Sequence, residues 1–408
     1  MFIVSFPYAV LQGGYWAIVA MVLVAYIGSH TGKILIQCLY EEDENNVRRR
    51  VRSSYVEVAE DVMGKTLGGR VVNCAQIIEL LMTCILYVLL CGDLLDGSFP
   101  DTTDLSSWIV LSTFFLIPCA FLTTLTAVSC LSFWCTMAHM AINAIIILYC
   151  LTRMREWRFS DVQIEIDIWT FPISLGIIVF SYTSQIYLPS LERNMVNRKK
   201  FTCMIHVTHL AAAAFKAIFS YIGFLTWGAA TQEVVTNNLP TQTFKIIVNL
   251  ILVVKALLSY PLPYFAAVEL IETALFQGKA LTIFPSCMND EKQLKIWAIA
   301  FRFGLVLFTM FLAIIIPYFA ILMSLIGSFT GTMLSFVWPC YFHLRLKWYT
   351  LSRFERTKDI VIILLGFLFG GFGIYYSAHA LVQAVNGLPV DPQDSPIPVA
   401  PKPIPHSN

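Results

Sequence analysis

Ten apolar runs, at about 15–39, 71–92, 108–122, 129–151, 171–190, 203–228, 243–270, 296–316, 319–343 and 359–385, dominate the chain. About 20 apolar residues cross a bilayer as a helix. In hydrocarbon every backbone N–H and C=O must find a partner inside the protein, which confines such runs to a helical bundle. Composition agrees: 57% of residues are hydrophobic and 13% charged, with a mean hydropathy of +0.71. Soluble domains carry about 25% charged residues. The expected class is therefore all-α and polytopic. A net charge of +1 gives no nucleic-acid signature, and no nucleic-acid partner is expected. Most of the eleven cysteines sit in or beside apolar runs, where they act as small hydrophobes. No C-x-x-C pair, metal-ligand cluster or cofactor motif stands out.

Before the first full run the chain opens apolar, from Met1 to Val10, and meets the turn signal Gly13-Gly14. That is half a span. The expectation is an N-terminally shortened form or a true start further upstream, with no signal peptide. Residues 1–386 then form one transport domain. The segment 387–408, with Pro389, Pro392, Pro396, Pro398, Pro401, Pro403 and Pro405, reads as an extended, disordered tail.

The run 171–190 changes character partway. Phe171 to Phe180 is apolar, Ser181-Tyr182-Thr183-Ser184-Gln185 is polar, and Pro189 follows. Non-helical backbone is tolerated at membrane depth only where it lines a cavity or is buried in protein. A discontinuous helix holding a solute is the expectation. The half-span carries a similar motif, Phe6-Pro7-Tyr8, four spans earlier. Interrupted first and sixth spans fit a five-plus-five inverted repeat.

Lys and Arg concentrate on cytoplasmic loops. One set of alternate loops holds eighteen, including Arg48, Arg49, Arg50, Arg52, Arg198, Lys199 and Lys200. The other holds five, with Asp93, Asp96, Asp101 and Asp104 in its first loop. The second set, and the C-terminus with it, is expected to face a lumen or the exterior.

Asn73, Gln76, Glu79, Thr83 and Tyr87 share one helical face. Glu79 lies roughly 12 Å deep at 1.5 Å per residue. A charge there costs on the order of 2.5–3.5 kcal/mol and needs a partner or water. It reads either as a proton-coupling carboxylate or as a structural, hydrogen-bonded Glu. Lys255, also at mid-depth, precedes Ser259 and Tyr260 by one turn, and Pro261 and Pro263 should bend that helix. His30, Lys33, His139, Asn143, Lys216 and Arg302 read as structural or interfacial, and the segment 41–52 as a solvated loop. A channel would call for a ring of pore-lining charges, and an enzyme for a nucleophile, metal or paired-carboxylate site. Neither pattern is evident.

These stretches carry a resemblance. Pro7 to Tyr15, Thr31 to Ile36, Cys38 to Glu42, Gly68 to Tyr87, Phe171 to Glu192, Lys255 to Glu269 and Phe342 to Leu346 are similar to the amino acid/auxin permease family. The resemblance implies the amino acid–polyamine–organocation fold. It implies exchange of luminal protons for GABA or glycine at synaptic vesicle membranes, with chloride as a further candidate partner. Another proton-coupled neutral amino acid permease, or an inactive or modulatory shortened form of such a carrier, is the alternative. In the resembled fold the third and eighth spans flank the broken helices. Lys255 then either pairs with Glu79 or stands as a fixed cation, and Thr83, Ser259 and Tyr260 approach the substrate. Backbone N–H groups at Phe2 and Ile3 suit a substrate carboxylate. Acceptors from Phe180 through Ser181, Tyr182, Thr183 and Gln185 suit its ammonium group. No cationic side chain is expected in either interruption.

Overall fold

The computed structural model describes residues 2–42, 48–65, 67–121, 126–275 and 295–386. The Pro-rich stretch 387–408 lies outside these residues.

The chain starts with a 3-10 turn, Phe2–Ser5, that runs into helix α1, Phe6–Cys38. Gly14 breaks α1 with φ 53° and ψ −142°, a conformation for which glycine carries no Cβ penalty. An added Cβ there would also meet the Gln163 carbonyl oxygen at 2.1 Å. Along a straight helix Pro7 and Met21 would stand about 21 Å apart. Both instead reach the same turn of a later helix: Pro7 packs on Gly223, and Ser220 donates to Met21 Sδ at 3.5 Å. The chain therefore folds back at Gly14, and the half-span ends where Gly13-Gly14 predicts.

Strands β1 (Tyr40–Glu42) and β2 (Arg48–Arg50) pair antiparallel, with Tyr40 opposite Arg50 and Glu41 opposite Arg49. The segment expected as a plain loop is thus a hairpin. Arg52 secures it, donating to Glu41 at 2.5 Å, to Asp61 and to the Cys38 carbonyl at 2.9 Å. Helix α2, Tyr55–Met63, is capped by Ser54, whose hydroxyl accepts from the Glu57 N–H at 3.2 Å.

The spans that follow are α3 (Gly68–Ser98), α4 (Leu105–Leu116, continued by a 3-10 turn to Phe121) and α5 (Thr126–Thr152). The interrupted span is α6 (Phe171–Tyr182) and α7 (Leu188–Asn194), each with proline in its first turn. Helix α8 is Phe201–Trp227. Helices α9 (Gln242–Ser259) and α10 (Pro261–Leu275) divide at Tyr260, whose backbone stays right-handed helical, and α11 is Ile296–Ile315. Then come α12 (Phe319–Ile326), two π-helical segments (Gly327–Gly331 and Met333–Val337), α13 (Trp338–Lys347) and α14 (Arg353–Val385).

Seven described helices are long and apolar enough to cross a membrane, and three apolar helices are shorter. That is an all-α, polytopic bundle. The two interrupted elements, the opening arm of α1 and the α6–α7 pair, meet inside it. The Phe2 ring lies 5.2 Å from that of Phe180. Between them in sequence lie four spans: the second arm of α1, α3, α4 and α5. This is the pairing that a five-plus-five repeat requires.

Candidate functional site: a cavity at the two interruptions

A cavity of about 190 Å³ opens where the opening turn meets the α6–α7 gap. It is smaller than the roughly 300–1,000 Å³ of drug-sized pockets, and suits a small solute. Phe2 enters from the opening turn. Glu79, Thr83 and Tyr87 line it from one face of α3; Phe180, Ser181, Thr183 and Tyr187 line it from the interrupted span, and Leu262 and Pro263 from α10. The three-and-four spacing on α3 explains the first group: residues one turn apart stack on one face. Leu262 and Pro263 belong to the first turn of α10, which opens at Pro261 beside the cavity.

Glu79 is 3% exposed and is the only carboxylate among the described lining residues. The Thr330 hydroxyl donates to its Oε2 from the first π segment. An ionised carboxylate at this depth costs about 2.5–3.5 kcal/mol, and one hydrogen bond to a charged group returns about 1.5–3 kcal/mol. The cavity offers the remaining solvation.

The π segment is held tightly against the interruption. At Gly327 an added Cβ would meet the Gly176 carbonyl oxygen at 2.0 Å, and at Gly331 it would meet Thr183 Oγ1 at 3.1 Å. Glu79 is thus tied to the segment that packs on the α6 break. π-bulges often mark functional positions.

Helix α6 ends at Tyr182, leaving terminal carbonyls without helical partners. Ser181 Oγ donates to the Ile178 carbonyl at 2.7 Å, Thr183 Oγ1 to Val179 at 3.2 Å and the Thr183 N–H to Phe180 at 3.1 Å. The Ser181 carbonyl accepts from Lys216 Nζ on α8 at 2.9 Å, and Lys216 also donates to Ser181 Oγ at 3.0 Å. Its ammonium sits 3.6 Å from the centre of the Tyr182 ring. A cation at a helix C-terminus is worth about 0.3–1 kcal/mol, and a desolvated cation–π contact about 2 kcal/mol. The interruptions themselves carry no cationic side chain; the cation at the α6 end comes from α8.

A domain of this construction is matched along residues 1–378 by the family of transmembrane amino acid transporter proteins. The chain belongs to that family. Among its relatives, the vesicular inhibitory amino acid transporter of Xenopus tropicalis is 49% identical over 388 residues, covering 94% of this chain and 75% of the relative. The human protein of the same name is 48% identical over the same length, covering 94% and 74%. The vesicular GABA transporter of Caenorhabditis elegans is 48% identical over 386 residues, covering 95% and 78%. Among solved structures, the inward-facing conformation of Mhp1 aligns with a TM-score of 0.48 at 13% identity, covering 96% of this chain and 89% of that one.

Within this family member, the predicted site residues divide. Phe2, Glu79, Thr83, Phe180, Ser181 and Thr183 come together at the cavity. Ile3 is buried in the hydrophobic core beside it. Tyr182 turns to α8, between Lys216 and His209, whose ring stacks on it at 6.2 Å. Gln185 is fully buried as a clamp: Nε2 donates to Thr31 Oγ1 at 3.2 Å, while Oε1 accepts from Ser335 at 2.8 Å and from the Ser184 N–H at 2.9 Å. Ser259 bonds back to the Lys255 carbonyl at 2.8 Å, and the Tyr260 hydroxyl pairs with Thr309 at 3.0 Å. Neither lines the cavity.

Lys255 is the main correction. Its Nζ donates to Thr136 Oγ1 on α5 at 3.1 Å, and no bond joins it to Glu79. Depth alone matched the two residues; the helical phase of α9 carries Lys255 round to α5. Sequence reasoning also missed the roles of Lys216 and Thr330. The hydroxyls of Ser328 and Thr330 between Gly327 and Gly331, followed by Thr332, were the available signal for the second.

Proposed function

We propose that the protein is a proton-coupled secondary transporter that exchanges luminal protons for GABA or glycine across the membrane of synaptic vesicles. Residues 1–386 form its transport domain. Glu79 carries the coupling proton, and the cavity beside it carries the amino acid. The observation behind this reading is a single buried carboxylate lining a small cavity at two helix interruptions, in a chain nearly half identical to named vesicular transporters of inhibitory amino acids. The cavity's one carboxylate and one nearby ammonium group balance a zwitterion and leave no counter-charge for a second carboxylate. Glutamate is therefore excluded. The basic loops face the cytosol and the C-terminus faces the lumen.

The test is labelled uptake into proteoliposomes with an acid interior. GABA and glycine should accumulate, glutamate should not, and collapsing the gradient should abolish uptake. Repeating the assay with chloride replaced by gluconate decides whether chloride moves with them. Glutamate transported as well as GABA, or uptake indifferent to the gradient, overturns the reading.

A further inference from the structure

The broken end of α6 is already satisfied from within. The carbonyls of Ile178, Val179, Phe180 and Ser181 accept, in turn, from the Ser181 hydroxyl, the Thr183 hydroxyl, the Thr183 N–H and the Lys216 ammonium. A solute ammonium arriving there would find the negative pole of the helix neutralised and its acceptors in use. Lys216 is fixed by two bonds to Ser181 and by the faces of Tyr182 and Phe6, at 3.6 and 5.2 Å. No carboxylate is bonded to it among the described residues. His209, which also stacks on Tyr182, is a further titratable group on α8. Across the cavity, the one described carboxylate is Glu79.

A second observation concerns the hydroxyls. Those of Ser5, Tyr182 and Ser184, all at the two interruptions, are buried without a protein partner. Buried polar groups are paired in the great majority of cases. The Tyr182 hydroxyl belongs to the ring that the Lys216 ammonium covers, and leaves a donor beside that cation for an anionic group.

We propose that Lys216 is a specificity-determining residue: its ammonium takes the cation position at the broken end of α6, so that an exchanged amino acid places its own ammonium on Glu79 and turns its carboxylate towards the Lys216 side. This rests on the reading of the protein as an amino acid exchanger and adds an orientation to it. Both ends of the solute are then read by charge. A diamine of the same length, which has a second ammonium in place of the carboxylate, is repelled.

The experiment measures labelled GABA binding to the purified protein and its displacement by unlabelled GABA or by 1,4-diaminobutane. The wild type should resist the diamine by at least about tenfold relative to GABA, a difference of about 1.4 kcal/mol. Lys216→Met should weaken GABA binding about tenfold and make the diamine an effective competitor, while Lys216→Arg should keep the discrimination. Equal displacement of GABA by the diamine in the wild type overturns the proposal. So does a Lys216→Met protein that binds GABA and rejects the diamine as before. If that variant does not fold, the wild-type and Lys216→Arg displacement curves decide the matter. A wild type that binds no GABA at all removes the functional reading, and this one with it.

Discussion

Thr330 donates its hydroxyl to the Glu79 carboxylate across a separation of 251 residues, from a π-helical turn to the centre of α3. The same turn packs against the α6 break through Gly327 and Gly331. A change in the charge of Glu79 therefore acts on the backbone that shapes the cavity. In the proposed exchange, proton binding at Glu79 and solute access would share this contact.

Removing that hydroxyl should cost more than its size suggests. Thr330→Val keeps the volume and deletes the donor, leaving a buried carboxylate short of about 1–3 kcal/mol of hydrogen bonding. Proton-driven GABA uptake should fall about tenfold or more, and Thr330→Ser should restore most of it. Equal uptake by the Val and Ser variants would mean that the bond plays no part.

Gln185 holds three elements together: α1 through Thr31, the α6–α7 gap through Ser184, and the second π segment through Ser335. Gln185→Leu strands the buried Ser335 hydroxyl and the Ser184 N–H, while Thr31 keeps its bond to the Gly28 carbonyl, so stability should drop by about 2–4 kcal/mol. Scanning fluorimetry of the purified variant measures this. An unchanged melting temperature would show that the clamp is not structural.

Glu79 and Lys255 engage different partners, Thr330 and Thr136. Their substitutions should be additive in unfolding free energy within about 0.3–0.5 kcal/mol. A double-mutant cycle of Glu79→Gln and Lys255→Met tests this, and coupling above about 1 kcal/mol would restore the ion pair that the sequence invites.

The proposed orientation rests on loop charge. The ends of the second and sixth spans are joined by Arg50, which donates to Glu192 at 2.8 Å and to the Pro189 carbonyl at 3.1 Å, and by the Tyr40 hydroxyl on Glu192. These loops share one face, as alternation requires. A tag inserted at Arg49 should be accessible on intact vesicles and one at residue 400 protected. The reverse pattern would invert the proposed direction of exchange.

What could be read from sequence was what local rules govern. Gly13-Gly14 marked the fold-back, Pro261 and Pro263 the junction between α9 and α10, and the spacing of Glu79, Thr83 and Tyr87 the shared face that lines the cavity. Lys216 was not legible because a lone Lys in an apolar run looks interfacial until α8 is packed on α1, which brings its ammonium to the end of α6. Lys255 misled because depth is readable from sequence, whereas the direction a side chain faces depends on its neighbours. The π segments leave no periodic trace; they become visible only once Gly327 is pressed against Gly176.

The central claim is that Glu79 couples proton and solute, and the most direct measurement is proton movement itself. Proteoliposomes loaded with acid and a trapped pH-sensitive dye should alkalinise when GABA is added outside, in proportion to the GABA taken up. Glu79→Gln protein, folded and inserted at the same density, should show only the passive leak. GABA-dependent alkalinisation of equal size in the Glu79→Gln vesicles would contradict the account.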